Sequence, residues 1–257
     1  KQVEELISPL TSAIVVAHIG GEPVDIEAIL KIAKKRSIPV IEDCAQAAGA
    51  KMNGKFLGTF GALSAFSTMF GKHFCTGGQG GIVFTKSEKL YYKARQASDR
   101  GKPFGIPGGT NCMASLNLNL NDLSAVIGRA QLKKLPEIVR RRREMVEKIT
   151  EGFKDVEAIK VPPQLPGAES SYWFWRLEAN VARLICDKNT FCQALSAEGM
   201  PVSASYRAMP HLYEWYTKRM NKNANKKIVN IITKLPKSNP LFTSIDLPFE
   251  VTAYLHA

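Results

Sequence analysis

Two β-branched runs separated by one amphipathic helix set the architecture that this chain can take. Ser12 to Ile19 (SAIVVAHI) is an apolar run closed by Gly20 and Gly21, the pattern of a strand buried on both faces. VDIEAILKIAKKRSI then spaces Ile26, Ile29, Leu30, Ile32 and Ala33 at helical intervals, with Asp25 placed to cap the first turn. IPVIEDCA follows as a second buried strand ending in the acidic pair Glu42 and Asp43. Strand, helix and strand in this order form a βαβ unit, which calls for a parallel sheet and a right-handed crossover. Ligands of such sheets gather at the carboxyl ends of the strands, and Asp43 lies at one of them.

Further along, short strands are expected at Leu63 to Thr68 and Gly81 to Thr85, with a loop carrying Lys72 between them. A helix is expected from Ser87, its N-cap, to about Ser98. Asp99 to Ala114 (DRGKPFGIPGGTNCMA) is rich in Gly and Pro and reads as a long loop. The helical pattern that follows is interrupted by Pro136, which predicts two segments with a kink or break there. From Ala158 the pattern changes to short strands (AIKVPP, YWFWRLEAN, PVSASY) around a helix, DKNTFCQALSAEGM. The chain thus divides into residues 1–135, part of a large domain, and 136–257, a linking helix and a small C-terminal domain. Tyr172, Trp173, Phe174 and Trp175 could form a binding platform, although alternating aromatics in a strand are more often core.

Composition narrows the function classes. With 257 residues, 45% hydrophobic and 23% charged, the chain can bury a sizeable core. It holds neither an apolar run long enough to cross a bilayer nor a secretion signal, so a cytoplasmic protein without a membrane partner is expected. Five scattered cysteines, never in a CxxC pattern, argue for free thiols in a reducing compartment and against a structural zinc site. The net charge of +12 is concentrated at Arg140 to Arg143 and at Lys218 to Lys227. Neither cluster has interleaved aromatics or a reading motif, so a solvated helix face and a basic loop are expected, not a nucleic-acid partner.

Lys72 stands apart from the other basic residues. Its neighbours in FSTMFGKHFCTGGQGG are apolar, small or glycine, and no acidic residue occurs from Gly61 to Ser87. A desolvated lysine has a lowered pKa and can act as a neutral amine nucleophile; the alternative is a lysine that snorkels out of a turn.

The order strand, EDCAQAAGA, FSTMFGK and GGQGG resembles the DegT/StrS family of pyridoxal-phosphate (PLP) aminotransferases. The resemblance runs from about Glu4 to Lys148 and more weakly through the small lobe. It implies an α/β fold of the aspartate-aminotransferase type: a mostly parallel sheet flanked by helices, with a smaller α/β C-terminal lobe. It also implies PLP as cofactor, joined to Lys72 as a Schiff base, with the freed Lys72 amine moving a proton between substrate and cofactor. By the same resemblance, Asp43 keeps the pyridine nitrogen protonated, Gln46 contacts the ring 3-oxygen and Ser67 binds the phosphate. Asn117 matches an asparagine that reaches the phosphate of a neighbouring subunit, while Asn119 replaces the family's arginine.

The reaction the resemblance implies passes an amino group, from L-glutamate in the family's manner, to a keto sugar, often nucleotide-linked, or a keto cyclitol, in a homodimer. A dehydratase branch of the family carries histidine in place of the lysine, and His73 adjoins Lys72; counting from Ser67 puts Lys72 on the family spacing. A non-catalytic remnant binding an acidic partner is the remaining alternative. Family members continue upstream with a Gly-Thr phosphate-binding turn and an aromatic that stacks on the ring. A chain that starts without methionine and almost at once enters an interior strand therefore reads as a fragment of a larger enzyme.

Overall fold

The computed structural model describes residues 2–205 and 213–214. After a short helix α1 (Gln2–Leu6) come β1 (Ile14–Ala17), a 3-10 turn (Ile19–Gly21), α2 (Ile26–Lys35) and β2 (Val40–Asp43). The expected βαβ unit is present: β1 and β2 pair in parallel, with Val16 opposite Glu42 and Ala17 opposite Asp43. Helix α2 starts where the sequence places it, because the Asp25 carboxylate accepts the Ala28 N–H at 3.0 Å. It buries Ile26 and Ala33, and full burial of one such isoleucine contributes about 1.5–3 kcal/mol.

Two two-residue strands, β3 (Lys51–Met52) and β4 (Lys55–Phe56), form a hairpin before β5 (Leu63–Ser67) and β6 (Gly81–Phe84). The main sheet has the order β1-β2-β5-β6. β2 and β5 are parallel, and β6 runs antiparallel at the edge. The sheet is therefore mostly parallel, as expected. Burial on both faces of β1 and β2 is not observed. Ile14, Val16, Val40, Glu42 and Ser64 are buried on one face, whereas the alternate positions are only half-buried. A β-branched run looks alike whether one face or both are covered, which is why the sequence pattern overstated burial.

Helices α3 (Glu88–Ser98), α4 (Asp122–Leu132) and α5 (Leu135–Gly152) follow. Ser87 caps α3 by accepting the Leu90 N–H. The break between α4 and α5 falls at residues 133–134, ahead of Pro136, which occupies the first turn of α5. A proline there lacks only an N–H that would have no intrahelical partner, so it marks a helix start and not an interior kink.

The described residues fall into two compact units, 2–154 with 161–176, and 155–160 with 177–205 and 213–214. The second contains β7 (Ile159–Lys160), paired with a strand at Glu178–Ala179, and a helix at Lys188–Ala197 capped by Asp187. The intervening β8 (Ala168–Glu169) pairs with β3 in the first unit, so the Glu178–Ala179 strand is β9 and the Lys188–Ala197 helix α6. One expected strand is absent, and of YWFWRLEAN only Glu178–Ala179 is strand. PVSASY forms none among its described residues, and the YWFW stretch is irregular because Tyr172 adopts a left-handed backbone, φ 47°, which a strand does not tolerate. The basic cluster Lys218 to Lys227 lies outside the described residues.

Candidate functional site

The site residues descend from strand ends. Successive residues of a strand face opposite ways, so Glu42 and Asp43 diverge at the end of β2. Glu42 is fully buried, and its two oxygens accept the N–H groups of Gly58 (2.7 Å), Phe60 (2.8 Å) and Gly61 (2.7 Å). His18 Nε2 adds a fourth contact at 3.4 Å, while its Nδ1 accepts the Val24 N–H. Burial pushes the Glu42 carboxyl up, but His18 and the Gly61 and Gly58 N–H groups outweigh it and hold the group below its usual value. Cys44 Sγ joins His18 and Glu42, their ligand-type atoms lying within 4.8 Å of one another. Both carboxylate oxygens already carry donors, which makes Glu42 the hub that fixes the 58–61 turn.

Asp43 faces the other side. It stands opposite Ala65 in the register, so Ser67, two residues further on β5, shares its face. One Asp43 oxygen accepts the Ala45 N–H at 2.9 Å, and Ser67 Oγ accepts the Met69 N–H at 3.3 Å. Ser67 opens a loop closed by Thr68 N–H to Gly80 O (2.9 Å), Phe70 N–H to Gly78 O (2.7 Å) and a Thr68–Thr76 hydroxyl contact (3.0 Å). Lys72 occupies the tip. Its Nζ lies 3.8 Å from the centre of the Trp173 ring, a cation–π contact worth about 0.5–1 kcal/mol. Burial is the largest influence on the amine and lowers its pKa; the Asp43 charge acts against this without cancelling it.

His73, the neighbour of Lys72, is buried, and its Nε2 lies 3.1 Å from Ser171 O. Burial, then the nearby Arg142 charge, lower its pKa to about 4, so it is a neutral donor to that carbonyl.

Gln46 reaches in a different direction. Its Oε1 accepts the Gly20 N–H at 2.7 Å, and Gly20 O in turn accepts the Trp173 N–H at 2.7 Å. Trp173 Nε1–H donates to Gly71 O at 2.9 Å. Gln46 and the Lys72 loop are thus joined through Gly20 and Trp173. This path depends on a tight turn: Gly21 has φ 85°, and a Cβ there would sit 2.8 Å from Tyr172 N and 3.0 Å from Gln46 O.

Asn117 is not brought to the other four. It forms a bridge with Asp99, and its Oδ1 accepts the Asn119 N–H at 3.3 Å, on an exposed loop.

The sequence marks Trp173 only as part of an aromatic cluster, a possible binding platform more often found as core. The arginine run was read as a solvated face, and only part of it is. Arg140 pairs with Glu137 and Glu144 on the surface, but Arg142 donates to Tyr172 O (2.6 Å) and Trp173 O (3.2 Å), and Arg143 to Ser170 O (2.7 Å) and Glu169 O (3.1 Å). Residues 142 and 143 are consecutive on α5 and both donate to backbone carbonyls of residues 169–173, the end of β8 and the irregular stretch after it. No helical period announces this, because the acceptors are backbone atoms from a distant part of the chain.

The Asp43 carboxylate thus acts on the Lys72 amine from the end of β2, the Ser67 hydroxyl at the end of the parallel β5 shares the carboxylate's sheet face, and an indole lies against the amine. The same fold is found in solved structures. The aminotransferase TlmJ from Streptoalloteichus hindustanus superposes with TM-score 0.72 at 31% identity, covering 83% of this chain and 57% of that one. The Escherichia coli GDP-4-keto-6-deoxy-D-mannose-3-dehydratase with bound hydrated PLP gives 0.67 at 25% identity, over 77% and 54%.

Among curated relatives, GDP-perosamine synthase of Escherichia coli O157:H7 is 30% identical over 216 residues, 84% of this chain and 58% of that protein. L-Glutamine:2-deoxy-scyllo-inosose aminotransferase of Micromonospora echinospora is 32% identical over 225 residues, 81% and 52% respectively. The chain spans about half the length of these relatives. A family model matches residues 1–242, nearly the whole sequence, and with it the chain belongs to the DegT/DnrJ/EryC1/StrS aminotransferase family.

Proposed function

We propose that this chain carries the lysine-bearing part of a cytoplasmic PLP-dependent aminotransferase. The enzyme takes an amino group from an amino-acid donor, L-glutamate, and passes it to a keto sugar, nucleotide-linked, or to a keto cyclitol. The observation that carries the reading is the Lys72 amine, partly shielded against Trp173 with its pKa lowered by burial, under the influence of Asp43 at the end of the adjacent strand. The residues fit the cofactor: an amine able to lose its proton, a carboxylate at hand, and a hydroxyl on the same sheet face as that carboxylate.

When bound, PLP supplies an electron sink for the carbon that gains or loses the amino group. Lys72 would hold the cofactor and, once released, carry a proton as a general base. Asp43 would hold the proton on the ring nitrogen, Gln46 would contact the ring oxygen and Ser67 the phosphate. The relatives' names, a perosamine synthase and an inosose aminotransferase, support a sugar or cyclitol acceptor.

Histidine-based dehydration is the weaker reading. His73 is buried and engaged by Ser171 O, whereas Lys72 is the half-exposed group of the pair. We further infer a homodimer in which Asn117 serves the partner's phosphate. The exposed Leu116, Leu118, Leu123 and Val126 around it, 63% exposed or more, support a face that a second copy covers.

The test is to add PLP to the purified protein with its natural flanking sequence, reduce with borohydride and map the modified peptide. Covalent cofactor on Lys72, lost in Lys72→Met, is expected. Label on another residue, or retention in Lys72→Met, overturns the assignment. Nucleotide keto sugars and keto cyclitols with glutamate as donor then identify the acceptor class.

A further inference from the structure

Trp173 has no role assigned so far beyond its position, yet it touches the Lys72 loop twice with one side chain. Its Nε1–H donates to Gly71 O at 2.9 Å, and its ring face meets the Lys72 ammonium at 3.8 Å. The first contact fixes the backbone carbonyl just before the lysine; the second fixes the end of a side chain that otherwise rotates about four single bonds. The indole is itself held. Its backbone N–H donates to Gly20 O at 2.7 Å, its carbonyl accepts from Arg142 Nη1 at 3.2 Å, and its ring packs at 5.4 Å on Phe174. A lysine in free rotation has no reason to face a ring so tied, and the indole is the aromatic face that attracts a cation most strongly.

We propose that Trp173 is a positioning residue for Lys72, holding its ammonium at a fixed place beside the sheet end whenever the amine is not otherwise bound. Given the PLP reading, this is where the lysine rests after release from the cofactor, and it returns from one defined position in each cycle. Trp173 acts through Lys72 and takes no part in bond making.

The test reads the lysine alone, with no cofactor present. In the full chain, the pH dependence of acetic anhydride labelling gives the titration midpoint of each lysine amine by peptide mass spectrometry. Replacing tryptophan biosynthetically with increasingly fluorinated tryptophans weakens the negative ring face without changing its shape. The Lys72 midpoint is expected to fall in steps, by about 0.5 unit in all, as the ammonium loses the ring's attraction. Lys86, whose ammonium donates to Thr59 O, serves as the control and stays fixed. In Trp173→Phe, which keeps only a weaker ring face and no N–H for Gly71 O, the midpoint is expected to lie below that of the parent and to be insensitive to fluorotryptophan. A Lys72 midpoint that ignores fluorination, or one that still follows it in Trp173→Phe, overturns the proposal. Borohydride trapping of PLP on Lys72 is independent of this result, so failure here with trapping intact removes only the role of Trp173. Loss of trapping with the midpoint shift intact removes only the cofactor reading.

Discussion

The two ends of the main sheet differ in how they satisfy themselves. At β1 and β2, polar groups are buried and matched: Glu42 holds three backbone N–H groups and His18, and the Gly20–Gly21 turn is tied to Gln46 and Trp173. At the β6 edge the pattern inverts. Gly81 to Phe84 are all exposed within this chain, as are the apolar Leu116, Leu118, Leu123 and Val126. Of the expected cofactor residues, Asp43 and Gln46 belong to the first kind of region, Ser67 (opposite Gly81 of β6) and Lys72 lie between the two, and Asn117 belongs to the second. Catalytic groups need fixed directions, which hydrogen bonds in a low-dielectric interior give. Exposed apolar area carries no direction and instead gains from being covered.

Glu42→Gln attacks the first region most directly. One of its two oxygens becomes an NH2 facing donors, so a loss of about 3–5 kcal/mol, read by urea unfolding, is expected. A loss below 1 kcal/mol would show that the matched end is no firmer than the exposed one.

His73 gives the next effect, seen through pH. Its folded pKa is about 4 against an ordinary 6.5, so the folded protein prefers the neutral ring. The associated stability is complete above pH 6.5 and is lost as pH falls toward 4, by up to about 3 kcal/mol. His73→Gln should flatten that part of the stability profile while leaving the acid loss from Glu42, whose pKa also lies below its usual value.

Gly21→Ala should cost about 2 kcal/mol, since φ 85° and a Cβ within 3.0 Å of two backbone atoms cannot both be relieved locally. Fluorescence of the tryptophans would report displacement of the Trp173 segment at the same time.

The smallest effect belongs to the second region. Leu123→Gln, at a position 80% exposed, should change stability by less than about 0.5 kcal/mol in dilute protein. At concentrations where a second copy covers this face, the same substitution should lower the association measured by sedimentation. An equal cost at both concentrations would erase the proposed difference between the ends.

What the sequence disclosed follows from how locally each feature is determined. The βαβ unit and the caps at Asp25 and Ser87 were legible because a cap and a helical period are written within a few neighbouring residues. Asp43, Gln46, Ser67 and Lys72 could be named because they stand in order along one stretch of chain. Glu42 could have been found by the strand period of two, which sends it to the opposite face from Asp43; its three N–H partners could not. Trp173, Arg142 and Arg143 were missed for a common reason. They bind backbone carbonyls of remote segments, and a carbonyl has no letter in the sequence. The hairpin of β3 and β4 with β8 was too short for any periodicity to register.

Because Trp173 returns to Gly20 and Gly71 only after the chain has passed through residues 155–160, the body that bears Lys72 is not a continuous stretch of sequence. During synthesis, the lysine loop must emerge and wait until about a hundred later residues have left the ribosome before its indole contact can close, about 20 seconds at the slower rates of translation. Any engineered split or fusion that ends the first body at residue 154 would retain every candidate cofactor residue and still lack the segment that closes their loop.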